Sequence, residues 1–292
     1  MVFLSLILGF LGCSTPSAPL TPSRSPQPVE EAPAEPTPVV HTWPHKEASL
    51  NARDVTFPDD FGVYRLFVDP GHGSKGNVGN ISVKCEEEKD FTMRIAERLV
   101  KDIENTGHFE VLLSRHPGTT VSYGERVKAA ASFGAKAFIS LHSDNRGEGS
   151  VASSVDGRDC IRRDGAEGFS VLYSDEGSAE LASARHELAV AFGQQLLQSG
   201  FTAYRGEDYK DLYDEDPVHF GVFVDRHQPK QRILVLRRPV MPSVVIETHH
   251  SWHPEEVARW EEERTLSVFS SAVIAALVSV LHERGKALEP AL

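Results

Sequence analysis

Basic residues are scarce in this chain: 30 Lys and Arg stand against 42 Asp and Glu, for a formal net charge of −12, and they are scattered rather than striped. Nucleic-acid binding rests on a concentrated positive face, so that class of partner is excluded. Cysteine is scarcer still, with three in 292 residues, which leaves room for one intramolecular disulfide at most. Long hydrophobic runs are few. The stretch MVFLSLILGFLG, residues 1–12, is too short to span a bilayer as a stable helix. The stretch LSVFSSAVIAALVSVL has 16 residues, contains Ser and follows a charged amphipathic half, so it reads as a helix buried against a sheet. No internal repeat is visible.

What is present divides the chain. The run at residues 1–12 has the length of a signal-peptide core and is followed at once by Cys13. A hydrophobic run ending in Leu-Gly-Cys resembles the lipobox of bacterial lipoproteins, which implies a signal over residues 1–13 and a lipid on Cys13. Residues 14–60 read as a disordered tether. Ser14 to Pro44 alone carries nine of the 18 prolines among Ser, Thr, Ala and Glu, too little apolar surface to offset ordering entropy. A folded domain is expected over residues 61–285, with a short tail at 286–292.

Within the folded part, strand and helix patterns alternate, which points to an α/β architecture: one three-layer domain with a twisted, mostly parallel sheet and helices on both faces. Strands are expected at YRLFVD (64–69), FEVLLS (109–114), AFISLH (137–142), near Phe169 to Tyr173, at RILVLR and at PSVVIET. Phe91, Ile95, Leu99 and Ile103 give one apolar stripe on a helix over Lys89 to Thr106. Ser122 and Glu125 form a capping box for a short helix that stops near Gly134. A further helix runs from about Ser178 to Ser199, and a long one from Pro254 to about Arg284. Ser143 to Gly165 reads as a polar loop. Tyr204 to Gln231 is acidic, aromatic and without clear period, a surface excursion placed to lie over the site.

The chemistry-bearing residues sit at strand ends. His72 follows LFVDPG in a turn flanked by glycines, and His142 ends AFISLH; each is held on a rigid element that can aim an imidazole at a metal. A lone histidine in such a place is usually a hydrogen-bonded edge residue, but here the placement recurs. Glu86, Glu87 and Glu88 supply a carboxylate at the start of the next helix; Glu88 is the choice, with Glu87 left open. Their bland role is to favour the positive helix N-terminus. Glu247 closes the apolar strand SVVIET, where a carboxylate must face a cleft, an ion or an arginine such as Arg126. Cys85 and Cys160 are equally compatible with a disulfide and with two free thiols.

Taken in order, VDPGHG, EKDFTMRIAERL, SR before an ERV helix, FISLHSDN, and MPSVVIET followed by HPEE resemble the zinc-dependent N-acetylmuramoyl-L-alanine amidases, the family that includes the bacterial cell-separation amidases. The resemblance covers about residues 64 to 283. It implies a Zn2+ cofactor held by His72, Glu88 and His142, Glu247 as the catalytic carboxylate, and hydrolysis of the amide between N-acetylmuramic acid and L-alanine of the peptidoglycan stem. Arg115 and Arg126 match recurring arginines and are read as structural ion-pair formers.

The pattern is not complete. Ser74 stands where the family has a second glycine, and His249, His250, Ser251, Trp252 and His253 replace its usual residues after the catalytic glutamate. Those imidazoles read as substrate contacts or packing. Two other functions stay open: a non-catalytic peptidoglycan-binding or regulatory lipoprotein, and a zinc peptidase cutting within the stem. The expected partners are peptidoglycan, a membrane through the lipid anchor, and an activator protein, with the chain itself a monomer. The expected location is the cell envelope, in the periplasm at the outer membrane. One regulatory reading has Asp214, Glu215 or Asp216 approaching the zinc as a brake.

Overall fold

The computed structural model describes residues 40–288, with side chains to residue 284. Cys13 and the expected signal and proline-rich segment up to residue 39 lie outside the described residues. The elements, in chain order, are β1 (Tyr64–Pro70), α1 (Glu88–Glu104), β2 (Phe109–Leu113), α2 (Tyr123–Phe133), β3 (Ala137–Asp144), β4 (Ser150–Val155), β5 (Arg158–Arg162), β6 (Ser170–Tyr173), α3 (Ala179–Gln198), β7 (Tyr213–Glu215), β8 (Val222–Asp225), α4 (Leu234–Arg237), β9 (Ser243–His250), α5 (Pro254–Arg259) and α6 (Glu263–Leu288).

Seven strands form one sheet in the order β2-β1-β3-β9-β6-β8-β7. The β2, β1, β3 and β9 strands run parallel, β6 is antiparallel to β9, β8 is parallel to β6, and β7 returns antiparallel at the edge. The sheet is thus mixed but mostly parallel, the α/β fold that the alternating pattern implied. Because side chains alternate across a strand, each central strand feeds two cores. Leu66, Val68, Ile139, Leu141, Val244 and Ile246 face the layer of α1, α3 and α6, whereas Phe67, Phe138 and Val245 face α2 and α4. The apolar stretch of α6 belongs to the first core through Phe269, Val273 and Leu277, which accounts for a segment long and apolar enough to cross a membrane.

Four expectations need correction. Residues 40–60 are not tether: Trp43 and Leu50 are buried in the main core, and the Trp43 indole donates to Glu256 at 2.7 Å. Aromatic and aliphatic side chains resume in this stretch and supply surface to bury. The 143–165 segment is not all loop, since β4 and β5 pair as an antiparallel hairpin. RILVLR holds a helical turn, α4, instead of a strand, because Val235 and Leu236 cover the second face of the sheet while β9 already has β3 and β6 as neighbours. The long C-terminal helix is two helices, with Trp260 buried at the break against Phe201, His249 and Phe269.

Candidate metal and catalytic site

β1 and β3 are adjacent and parallel, so their C-terminal ends lie side by side and bring His72 and His142 together, ring centroids 4.7 Å apart. The α1 helix starts opposite them. Its first residue, Glu88, is 3 % exposed and places its carboxylate between the imidazoles: Oε2 is 2.9 Å from His72 Nε2, and Oε1 is 3.0 Å from His142 Nδ1. Backbone N–H groups of Asn80 and Ser143 also donate to this carboxylate, fixing its orientation. Glu87 is elsewhere, paired with Lys89 and Arg158. Glu88 is therefore the carboxylate that the fold brings to the histidines.

The hydrogen bonds around His72 test whether this trio suits a cation. Asn77 Oδ1 accepts from the Gly79 N–H, and Asn77 Nδ2 donates to the Tyr123 hydroxyl, so the amide orientation is fixed. His72 Nδ1 must then donate to Asn77 Oδ1, at 2.8 Å, which leaves a neutral ring only a lone pair at Nε2. That lone pair faces a carboxylate oxygen. Only a positive charge reconciles the contact, either a proton or a metal ion, and two imidazoles with one carboxylate are a recognised zinc donor set with an open fourth position. Burial opposes both charges here, yet the hydrogen bonds to His142 and His72 pull Glu88 far below the ordinary carboxylate range, and Glu88 in turn lifts His72.

Two glycines make the trio possible. A Cβ on Gly71 would lie 2.3 Å from His142 Nε2, and one on Gly79, at φ +79°, would lie 2.5 Å from Glu88 Oε2. The glycines beside His72 are legible in the sequence, whereas the role of Gly79 appears only when the loop folds back over α1.

Glu247 pairs in register with His142 across β3 and β9, which places it beside the histidine–carboxylate trio. Its Oε2 is buried without a hydrogen-bond partner. Burial, then the nearby carboxylates of Asp144 and Glu88, push its pKa well above the ordinary value, with Arg146 as a partial counterweight. Arg126 is not its partner. That guanidinium is fully buried and pairs with Asp69 at 2.8 Å while donating to the carbonyls of Pro70 and His72. Arg126 is thus the structural ion-pair former expected, whereas Arg115 pairs with no carboxylate among the described residues; it donates to the carbonyls of Pro70, Gly71 and Lys89 and so shapes the turn that carries His72.

Sequence reasoning missed the support on the other side of Glu247. Asp144 accepts from the Tyr209 hydroxyl at 2.5 Å and from Arg146 Nε at 3.1 Å, and Tyr209 also meets the Ser170 hydroxyl. Arg146 lies 3.8 Å over the Tyr204 ring. Tyr204 and Tyr209 are therefore core residues, and their aromatic identity inside an acidic stretch was the available signal. Of the acids proposed as a brake, Asp214 pairs with Arg226 and Asp216 with His186 and His219, while Glu215 is exposed on the edge strand β7. His249, His250 and His253 are packing residues. His249 is buried against Phe91 and Trp260, His250 is fully buried, and His253 caps α5. Cys85 and Cys160 form a disulfide with Cα atoms 5.2 Å apart, which ties β5 to the loop leading into Glu88.

The family model described as N-acetylmuramoyl-L-alanine amidase matches residues 66–279. The amidase AmiA of Escherichia coli is 24 % identical over 229 residues, 74 % of this chain and 76 % of AmiA. The probable amidase AmiB of Haemophilus influenzae is 30 % identical over 206 residues, 65 % of this chain and 46 % of AmiB. Among solved structures, an N-acetylmuramoyl-L-alanine amidase from Clostridium difficile 630 superposes with a TM-score of 0.58 at 21 % identity, covering 77 % of this chain and all of that one, and shares its fold.

Proposed function

The chain belongs to the N-acetylmuramoyl-L-alanine amidase family, a peptidoglycan hydrolase by that membership, and we propose that it works with zinc and a glutamate acid–base. His72, Glu88 and His142 would hold the ion. When bound there, zinc supplies Lewis-acid polarisation of the scissile carbonyl and water that is acidic near neutrality. Glu247 takes the proton from the attacking water and delivers it to the departing L-alanine nitrogen, so that hydrolysis needs no covalent intermediate. A carboxylate raised toward the working pH is suited to both transfers. Asp144 raises the Glu247 pKa and Arg146 partly offsets it, and Tyr209 holds Asp144 in place through its hydroxyl. The observation that carries this reading is Glu88 seated between two imidazoles with Glu247 in register beside one of them.

The same proposal puts the enzyme in the cell envelope, lipidated on Cys13, in the periplasm at the outer membrane, acting as a monomer that an activator protein can engage. The deciding experiment is digestion of purified peptidoglycan with and without a chelator, the fragments read by mass. Sugar strands with intact lactyl groups and free stem peptides, lost on chelation, are expected. Cuts within the stem would make the enzyme a peptidase, and activity indifferent to chelation would remove zinc from the account.

A further inference from the structure

A second set of the same donors lies at the far edge of the sheet. His186 sits in the first half of α3, while Asp216 and His219 occupy the turn between β7 and β8. His186 Nε2 is 2.6 Å from Asp216 Oδ2, and His219 Nδ1 is 2.9 Å from Asp216 Oδ1. One carboxylate thus bridges two imidazoles through its two oxygens, as Glu88 does between His72 and His142, and the three ligand atoms lie within 4.8 Å of one another. β7 is three strand steps from β9, about 14 Å at the usual spacing, so the two trios cannot share an ion.

We propose that His186, Asp216 and His219 form a second binding site for a zinc-like divalent transition-metal ion, one that clamps α3 to the β7–β8 turn. The carboxylate is pre-aimed. Asp216 Oδ1 accepts from the backbone N–H groups of Val218 and His219 at 2.9 and 2.8 Å, and the Asp216 N–H closes the turn onto Val222 O. Those two backbone N–H groups favour the carboxylate anion that a cation needs. Asp216 forms the floor at 8 % side-chain exposure, while His186 and His219, at 37 % and 28 %, form a rim open to water as a fourth ligand. Such a clamp suits its place. β7 is a three-residue edge strand, the least anchored part of the sheet. A third histidine-carboxylate group, His41, His45 and Glu47, comes from seven consecutive residues, with its imidazoles stacked on each other at 3.9 Å rather than directed at one carboxylate.

Metal-stripped full-length protein is titrated with zinc by equilibrium dialysis, and bound metal is counted. Wild type is expected to take two equivalents and His72→Ala/His142→Ala to keep one. His186→Ala/His219→Ala is expected to lose one while retaining amidase activity. In the His72→Ala/His142→Ala background, zinc at 100 times its Kd should raise the folded-to-unfolded ratio about 100-fold, a gain that Asp216→Asn abolishes. Unchanged stoichiometry in His186→Ala/His219→Ala, no zinc in His72→Ala/His142→Ala, or loss of the second equivalent on His45→Ala instead would each overturn the proposal. Failure of the catalytic trio to bind metal shows separately, as wild-type stoichiometry in His72→Ala/His142→Ala.

Discussion

At the scale of the residue, the site depends on what is missing as much as on what is present. Gly79 carries no Cβ because Glu88 and His72 occupy that space, and Asn77 turns its amide oxygen to His72 because its nitrogen is held by Tyr123. Asn77→Ala is expected to weaken zinc retention about 10- to 100-fold, the usual cost of removing a group that orients a metal-bound histidine, measured by competition with a chromogenic chelator. Gly79→Ala should cost more, because strain at positive φ adds to a displaced ligand. Glu247 presents the opposite case, a group that is present at the expense of stability. Its folded pKa lies above the unfolded value, so its penalty grows as pH rises above the unfolded carboxylate range and disappears as pH falls below it. Glu247→Gln should therefore lose turnover by a factor of about 100 or more. The metal-free variant should gain about 0.5–2 kcal/mol in urea unfolding at pH 7, and that gain should vanish near pH 4. A variant no more stable than wild type at pH 7 would mean that Glu247 is not the strained carboxylate described.

At the scale of the element, legibility followed burial. The β1, β3 and β9 strands are covered on both faces and so read as unbroken apolar runs, and α1 and α2 carried their stripe and capping box in plain view. β4 is exposed along its whole length and rich in serine, so no hydrophobic alternation marked it. The available sign was Asp156-Gly157, both at positive φ, the pair that a tight two-residue hairpin turn demands. β8 is buried throughout, but its four residues were submerged in the acidic excursion around them. The hairpin also shows where a covalent tie replaces a core. Cys160 is buried and bonded to Cys85 across a sequence separation of 75, three residues before Glu88. Cys85→Ser/Cys160→Ser is expected to lower stability by about 2–4 kcal/mol in urea unfolding, relative to oxidised wild type. Zinc stoichiometry should be unchanged, because the Asn80 and Ser143 N–H groups still orient Glu88. Loss of zinc together with the disulfide would instead make the tie part of the metal site.

At the scale of the whole molecule, buried charge and buried imidazole run from the N-terminal segment to the catalytic cleft. Glu256, fully buried, accepts from the Trp43 indole, the Gly168 N–H and the His250 N–H, joining residues 40–60, the start of β6 and the end of β9 through one carboxylate. Beside it, His250 is fully buried, and its Nε2 has no hydrogen-bond partner. Burial, aided by the Arg146 charge, drives its pKa down to about 3, and His249 is driven down by the same causes. Both rings are therefore neutral in the folded protein at pH values where an unfolded chain protonates them. The unfolded state binds more protons below about pH 6.5, so stability must fall as pH falls, for each histidine by up to about 1.4 kcal/mol per pH unit until its folded pKa is reached. His250→Gln keeps the volume and removes one of these protonation sites. Chemical unfolding of metal-free wild type and His250→Gln between pH 7.5 and 4.5 should give curves that converge on a constant gap above pH 7. Below pH 6 they should diverge in the variant's favour. Parallel curves across the whole range would mean that His250 takes up its proton in the folded state, and that the belt around β9 is open to water.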